Sequence, residues 1–305
     1  MKPAFSVIFL TVLIGAGQGL FLALYACELA GAAAERGWLV GGALVSLLLS
    51  ALGLLASFFH LGHPERAWRA AAMWRTSWLS REVIALPLFM ATVFAWGFAH
   101  MLGWPGTRWL GALAALACLA LFLCTAMIYA SVRFLQEWAS PLTLVNYLLI
   151  GCASGSLLAA ALASLSAPAW VEPLALAALL LTLAALIGRT AALLRNAQLR
   201  PRSTLQTAIG IKHPAIVQRA QGFMGGSFNT REFFHGRSAG MLRSVKWFFL
   251  AAGFVLPALL LLVLPASAAV LAAAFAIQLA GLLAERWFFF AQANHPQNLY
   301  YQAIS

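Results

Sequence analysis

One stretch between two long apolar segments carries most of the side chains suited to proton chemistry. It runs from Ser57 to Pro87 and reads SFFHLGHPERAWRAAAMWRTSWLSREVIALP. His60 ends one apolar segment and Glu82 begins the next, so we expect both at one edge of a membrane core. A histidine titrates near neutral pH, and a carboxylate at the interface can pass protons to water. This pair suits the two-proton, two-electron chemistry of a quinone. The alternative is structural, with His60 capping a helix and Glu82 pairing with Arg81 or Arg75.

The composition surrounds these polar residues with hydrocarbon. Of 305 residues, 63% are hydrophobic and 9% are charged, whereas a soluble domain carries about 25% charged residues. Long apolar runs recur without strict alternation, which favours helical spans over a β-barrel. We therefore predict an all-α polytopic integral membrane protein, in which residues 1–305 form a single membrane domain of eight transmembrane helices in two packed four-helix groups.

The apolar runs place the eight spans along the chain. The first run is too long for the core of a signal peptide, so we predict that it is a retained span. A polar segment, residues 195–244, is predicted to be a long cytoplasmic loop between spans six and seven. The predicted spans are about Phe5–Leu29, Leu39–Phe59, Leu79–Met101, Trp109–Ala130, Thr143–Leu165, Leu174–Leu194, Val245–Leu264 and Ala268–Phe290.

The charge is strongly basic and unevenly placed. The chain has 19 Lys and Arg against 8 acidic residues. With eight spans, all basic residues except Arg36 and Arg108 fall on the side of the two termini. The positive-inside rule then predicts a bacterial inner membrane protein with both termini in the cytoplasm. A membrane surface explains the charge, so membrane lipid is an expected partner and nucleic acid is not.

The sequence gives little support for metal cofactors in this chain. The four cysteines lie in apolar segments without close C-x-x-C spacing, which predicts core residues and no iron–sulfur cluster. His60 and His63 lie at one membrane edge and His100 at the other, so no histidine pair matches in depth for a haem. We expect no bound metal.

The segment Gly222–Arg237, GFMGGSFNTREFFHGR, mixes aromatic, basic and glycine residues. A solvated basic loop is one interpretation of this pattern. Exposed aromatic side chains would instead form an apolar patch, which is typical of a docking surface. The candidate docking residues are Phe223, Phe228, Arg231, Phe233, Phe234 and Arg237.

A secondary transporter is the alternative from another functional class. Transporters typically carry broken helices and charged residues at mid-depth. Here only Glu28 is predicted to be embedded, near the far end of span one. Gln18 lies near mid-depth, where an interhelical hydrogen bond is favoured over a role in a pathway. The transporter hypothesis is therefore weak.

Several long strings resemble a known family. The chain resembles the membrane-anchor subunit of the dimethyl sulfoxide reductase family, which belongs to a wider group of haem-free, quinone-reactive anchors that also serve polysulfide reductases. The strings are HLGHPERAW (60–68), SWLSRE (77–82), MIYASVRFLQEW (127–138), PLTLVNY (141–147) and SFNTREFFHG (227–236).

The resemblance implies a complex and a site. It implies eight helices, no metal and no catalytic residue for the substrate in this chain, and a bound quinone (menaquinone or ubiquinone). The implied partners are an iron–sulfur subunit with [4Fe–4S] clusters and a catalytic subunit with a molybdopterin cofactor. His60 and Glu82 match the family's quinone-site histidine and glutamate. Arg81, Arg133 and Glu137, on the same face, are weaker candidates.

The long loop and the tail ERWFFFAQANHPQNLYY look most similar to the anchors of cytoplasmic sulfite-oxidising enzymes in this family. The function implied is electron exchange between an iron–sulfur subunit at the cytoplasmic face and membrane quinone, during oxidation of sulfite to sulfate. The alternative within the family is the anchor of a dimethyl sulfoxide or polysulfide reductase, which oxidises quinol.

Overall fold

The computed structural model describes residues 1–59, 61–217, 219, 233–296 and 298. Throughout these ranges the regular structure is helical, and eight helices are long and apolar enough to cross a membrane. The predicted all-α polytopic architecture is confirmed. The spans are α1 Phe5–Leu29, α2 Arg36–Phe58, α3 Trp78–Leu102, α4 Thr107–Ala130, α5 Pro141–Ser166, α6 Val171–Ala197, α7 Ala239–Val263 and α8 Ala268–Ala291.

The largest difference from the predicted bounds is at the start of α7. The helix begins at Ala239 rather than at Val245, because Ser238 caps it by accepting a hydrogen bond from the Met241 amide at 3.2 Å. Its first turns therefore include the basic residues Arg243 and Lys246. Hydropathy alone assigns such residues to a loop, whereas a hydroxyl cap starts the helix ahead of its apolar part.

The spans form two groups of four helices. In the first group, α2 packs on α1, α3 on α2 and α4 on α3, and α4 also contacts α1. In the second group, α6 and α8 pack on α5, while α7 lies against α8 and α6. The main junction between the groups is the α1–α5 pair, which α4–α5 and α1–α8 contacts support.

Glycine allows α1 and α5 to touch backbone to backbone. A methyl group on Gly155 would overlap backbone atoms of Gly19 and Leu20, and one on Gly19 would overlap the carbonyl of Gly151. In lipid, helices gain little from apolar burial against each other, so small residues that permit close van der Waals contact define the junction.

The seventh span contains a π-turn at Ala251–Val255. A turn of this kind leaves backbone groups that need partners inside the bilayer. The Gln278 amide of α8 donates to the Gly253 carbonyl at 3.4 Å and to Thr182 Oγ1 on α6 at 3.2 Å. The same turn brings Gly253 so close to Gly281 that a methyl group on Gly281 would overlap it. One polar side chain thus joins three helices.

The connector before α3 lies on the surface. It contains the 3-10 helix Pro64–Met73, whose Trp68 side chain is 72% exposed. Arg69 lies 5.6 Å from the centroid of the Trp68 ring. Tryptophan and arginine at a helix end are typical of the membrane–water interface. The connector ends at Ser77, whose hydroxyl caps α3 by accepting from the Ser80 amide at 3.3 Å.

We expect Gly155→Ala to destabilise the membrane domain by about 3 kcal/mol, at the upper end of the cost of overpacking, because the added methyl meets backbone that cannot rotate away. The matched control is Gly41→Ala in α2, where a methyl group would meet no atom of the described residues within 4 Å. Thermal unfolding in detergent should show a lower Tm for the first variant only. Equal Tm values would contradict the close α1–α5 contact.

Candidate functional site

Glu82 is a buried carboxylate in the second turn of α3. Its side chain is 9% exposed, and Thr125 Oγ1 on α4 donates a hydrogen bond to Glu82 Oε1 at 2.5 Å. The connector before α3, the end of α4 and the start of α5 meet on the same face of the bundle. This carboxylate therefore lies just inside one face of the bundle.

A small cavity lies beside Glu82 where α1, α3, α4, α5 and α8 meet. The space open to the centre of a water molecule is about 20 Å³, which holds about one water. It is too small for a quinone ring. Gln18 on its wall donates to the Cys118 carbonyl at 2.9 Å, so the expected interhelical bond between α1 and α4 is present. The other polar lining residues are Thr11, Thr125, Tyr147, Ser154 and Arg286.

Three charged side chains form a buried cluster between α6 and α8. Arg189 Nε lies 2.7 Å from Glu285 Oε1, and Arg286 Nε lies 3.8 Å from Glu285 Oε2. Arg189 and Glu285 are 2% exposed and Arg286 is 4% exposed. The Arg286 guanidinium also lies 3.8 Å from the centroid of the Tyr147 ring. Two cations thus face one carboxylate in this cluster, and Arg286 also lines the cavity beside Glu82.

A second cavity and a surface cleft continue from this cluster. The second cavity, between α5, α6 and α8, offers about 10 Å³ to a water centre. The cleft is much larger, about 690 Å³, and lies between the 131–140 connector, the end of α6 and the tail after α8. Polar residues of the cavity are Glu137, Ser140, Thr143, Asn146, Tyr147, Arg189, Arg195, Asn196, Glu285 and Arg286. Those of the cleft include Arg133, Gln136, Glu137, Asn196, Arg202, Asn294, His295 and Asn298.

The sequence-predicted quinone-site residues separate into three positions. Glu82 faces the first cavity, whereas Arg133 and Glu137 line the surface cleft. Arg81 turns away from the cavity. Its Nε donates to the Trp74 carbonyl at 2.8 Å, and its Nη2 donates to the Arg75 carbonyl at 2.8 Å. These bonds tie the connector to the start of α3.

His60, the remaining predicted residue of that site, lies outside the described residues. The same holds for three of the predicted docking residues, Phe223, Phe228 and Arg231.

The other predicted docking residues lie near the cleft. Phe233 stacks on His295 with ring centroids 3.8 Å apart, and its carbonyl accepts from Asn298 Nδ2 at 3.3 Å. Phe233 and Phe234 are half-buried, while Arg237 is exposed. Burial lowers the pKa of His295, and the nearby N-terminal ammonium lowers it further. Both effects favour the uncharged imidazole that stacks on Phe233.

Sequence reasoning missed the buried charge cluster. It placed Arg189 near the end of span six and Arg286 near the end of span eight, and it counted both as charges on the terminal side. The structure continues α6 to Ala197 and buries both arginines. The available signal was a charged residue inside an apolar run, as in LIGRTAALL and GLLAERWFFF.

Glu28, the one residue expected to be embedded, is fully buried at the opposite end of the bundle. It accepts a hydrogen bond from Trp96 Nε1 at 2.8 Å, and His100 Nε2 lies 3.2 Å from its other oxygen. This group joins the far ends of α1 and α3. Among the described residues, no three His, Cys, Asp or Glu side chains gather as a metal site would require.

Comparison with known proteins defines the class of this eight-helix anchor. The model of the DMSO reductase anchor subunit (DmsC) family matches residues 1–292, so the chain belongs to that family. Over 326 aligned positions it is 54% identical to a sulfite dehydrogenase subunit of Allochromatium vinosum, and the alignment covers 100% of both chains. The resemblance seen in the sequence is confirmed. The chain is a membrane-anchor subunit of an oxidoreductase complex, and not a secondary transporter.

Replacing Glu285 by leucine should destabilise the domain by about 3–5 kcal/mol, because it leaves Arg189 buried without its partner. The double variant Arg189→Leu/Glu285→Leu should be less affected, since it leaves one buried cation, Arg286, without a carboxylate where the single variant leaves two. Tm in detergent measures both effects, with the exposed Glu172→Gln as control. A single variant as stable as the unmodified protein would contradict the assignment of a buried ion pair.

Proposed function

We propose that this chain is the quinone-reactive anchor of a sulfite-oxidising complex. The observation that carries the proposal is identity of 54% to a sulfite dehydrogenase subunit along the entire length of both chains. The buried Glu82–Thr125 pair beside a water-sized cavity supports it, because a carboxylate in such a position can pass protons.

The overall chemistry divides between subunits. Oxidation of sulfite by water yields sulfate, two electrons and two protons, and it belongs to a catalytic partner with a molybdopterin cofactor. An iron–sulfur partner with [4Fe–4S] clusters carries the two electrons to the membrane face. Here a quinone, menaquinone or ubiquinone, takes up two electrons and two protons and becomes a quinol. The chain has no catalytic residue for sulfite.

Each side chain of the quinone site has a separate task. A quinone would bind beside the connector and the start of α3, since the cavity next to Glu82 is too small for its ring. His60 donates a hydrogen bond to a quinone oxygen, and Glu82 delivers protons from within. Arg81 positions the connector through its bonds to the carbonyls of Trp74 and Arg75. Arg133 and Glu137 serve the proton supply from the cleft rather than the ring.

The docking surface lies on the same face. The 131–140 connector, the residues from Phe233 to Arg237 and the tail meet there around the cleft. Most basic loop residues are on this side, so the positive-inside rule favours a cytoplasmic position for this face and a bacterial inner membrane for the chain. An iron–sulfur subunit seated on it would bring a cluster close to α3.

A reductase anchor would use the same parts in reverse, with quinol giving up electrons and protons. Oxidation is favoured here because the full-length relative is a sulfite dehydrogenase subunit. The long segment between α6 and α7 agrees with this choice, as does a cytoplasmic docking face.

The complex itself is the first prediction. Extraction of the tagged chain from native membranes in mild detergent should co-purify an iron–sulfur protein and a molybdenum protein. The preparation should reduce quinone when sulfite is added. If the partners co-purify but act only on another substrate, the sulfite assignment is wrong, and purification without redox partners would contradict the anchor function.

Glu82→Gln and His60→Ala should each lower sulfite-dependent quinone reduction at least about tenfold, since general acid–base assistance is typically worth 10²- to 10⁴-fold. Sulfite oxidation with ferricyanide, which takes electrons from the partner subunits, should be unchanged. The matched control is Glu65→Gln, an exposed carboxylate in the same connector. Normal quinone reduction in both site variants would overturn the site.

A further inference from the structure

Glu82 needs a supply of protons from water. Its carboxylate is buried in a helix that faces hydrocarbon, and each quinone reduced consumes two protons. A single water in the adjoining cavity cannot replace them. The inference of a supply route rests on the proposed function, in which Glu82 delivers protons to a quinone.

The two cavities and the cleft share walls. Tyr147 and Arg286 line both the Glu82 cavity and the second cavity. Glu137 and Asn196 line both the second cavity and the surface cleft. Polar residues are therefore shared by each neighbouring pair of cavities between the surface and Glu82.

The second cavity offers unpaired acceptors to water. Asn146 is 7% exposed, and its Oδ1 is buried without a hydrogen-bond partner among the described residues. Within the same part of the chain, Glu285 Oε2 likewise accepts no hydrogen bond, since Arg286 Nε is 3.8 Å away. Buried acceptors of this kind are usually satisfied by ordered water. The cavity has room for about one such water.

The outer end of the route is held by bonds between α6 and the 131–140 connector. Arg195 donates to the Gln136 carbonyl at 3.0 Å, and Asn196 Nδ2 donates to the Glu137 carbonyl at 3.4 Å. These bonds fix the backbone of Glu137 between the cavity and the cleft. Its side chain is half-buried, which leaves a titratable carboxylate within reach of the surface.

We propose that protons enter at Glu137, pass through water held by Asn146 and Glu285 to the Tyr147 hydroxyl, and reach Glu82 through the water beside it. The route starts at the 131–140 connector, passes between α5, α6 and α8, and ends at α3. It enters from the same face as the proposed docking surface. Glu137 and Tyr147 are thereby assigned to proton delivery.

Every step conserves protons. Glu82 gives one proton to the quinone oxygen and takes one from the neighbouring water, which takes one from Tyr147. A tyrosine hydroxyl donates one proton while it accepts another, so it returns to its neutral form. Glu137 is recharged from bulk water. The electrons come from the iron–sulfur partner.

The ion cluster orients the route. Arg189 Nε lies 2.7 Å from Glu285 Oε1, which leaves Glu285 Oε2 as an acceptor for water. The Arg286 guanidinium over the Tyr147 ring keeps that side chain in place between the cavities.

The test compares Tyr147→Phe and Glu137→Gln in the intact complex. Tyr147→Phe keeps the ring on Arg286 and removes only the hydroxyl. We expect sulfite-dependent quinone reduction to fall about tenfold in each variant, with an unchanged KM for quinone and a larger solvent deuterium isotope effect. Formic acid, a small proton donor, should restore much of the rate in Glu137→Gln. Ferricyanide reduction should be normal in both.

Each control variant removes a tyrosine hydroxyl or a carboxylate at a position outside the proposed route. Tyr25→Phe removes a tyrosine hydroxyl that donates to the Arg108 carbonyl at the opposite end of the bundle, and Glu172→Gln removes an exposed carboxylate. Wild-type rates in Tyr147→Phe and Glu137→Gln, while Glu82→Gln is inactive, would overturn the route and leave the quinone site standing. A raised KM for quinone without an isotope effect would also overturn it. An active Glu82→Gln would instead refute the proposed function.

Discussion

A charge buried in a hydrocarbon layer must be paired, and this constraint shapes the end of the bundle where α3 begins and α6 and α8 end. Arg189, Glu285 and Arg286 lie together inside α6 and α8. Arg286 also lines the small cavity that Glu82 of α3 lines. Helices from both four-helix groups therefore meet around one polar cavity.

The same residues link stability to chemistry. Residues that hold a buried cluster together usually have a structural role, yet here they line a series of polar cavities that ends at Glu82. In the proposed route, folding and turnover both depend on these few side chains.

Hydropathy predicted the eight spans and charge their orientation, because twenty apolar residues and basic loops are properties of local sequence. The family was predicted from the resemblance of several long strings. Glu82 was also accessible to sequence reasoning, since it stands at a span boundary. Arg189 and Arg286 were not placed, because their partner Glu285 becomes apparent only when α6 and α8 pack together. Arg81 was assigned to the site, but its partners are carbonyls of the preceding connector. The pairing of Arg189 with Glu285 is set by contacts between segments that are distant in the sequence. The periodicity of apolar residues contains no information about such contacts.

The glycine junction between α1 and α5 has a consequence for biogenesis. The first helix enters the membrane long before the fifth has been synthesised, and until then the groove around Gly19 can be filled only by lipid or by an insertion factor. When Gly151 and Gly155 emerge, they must displace that occupant before the second half of the protein can dock. Ribosome-bound chains that stop short of α5 should therefore remain accessible to membrane quality control, whereas chains that include it should not.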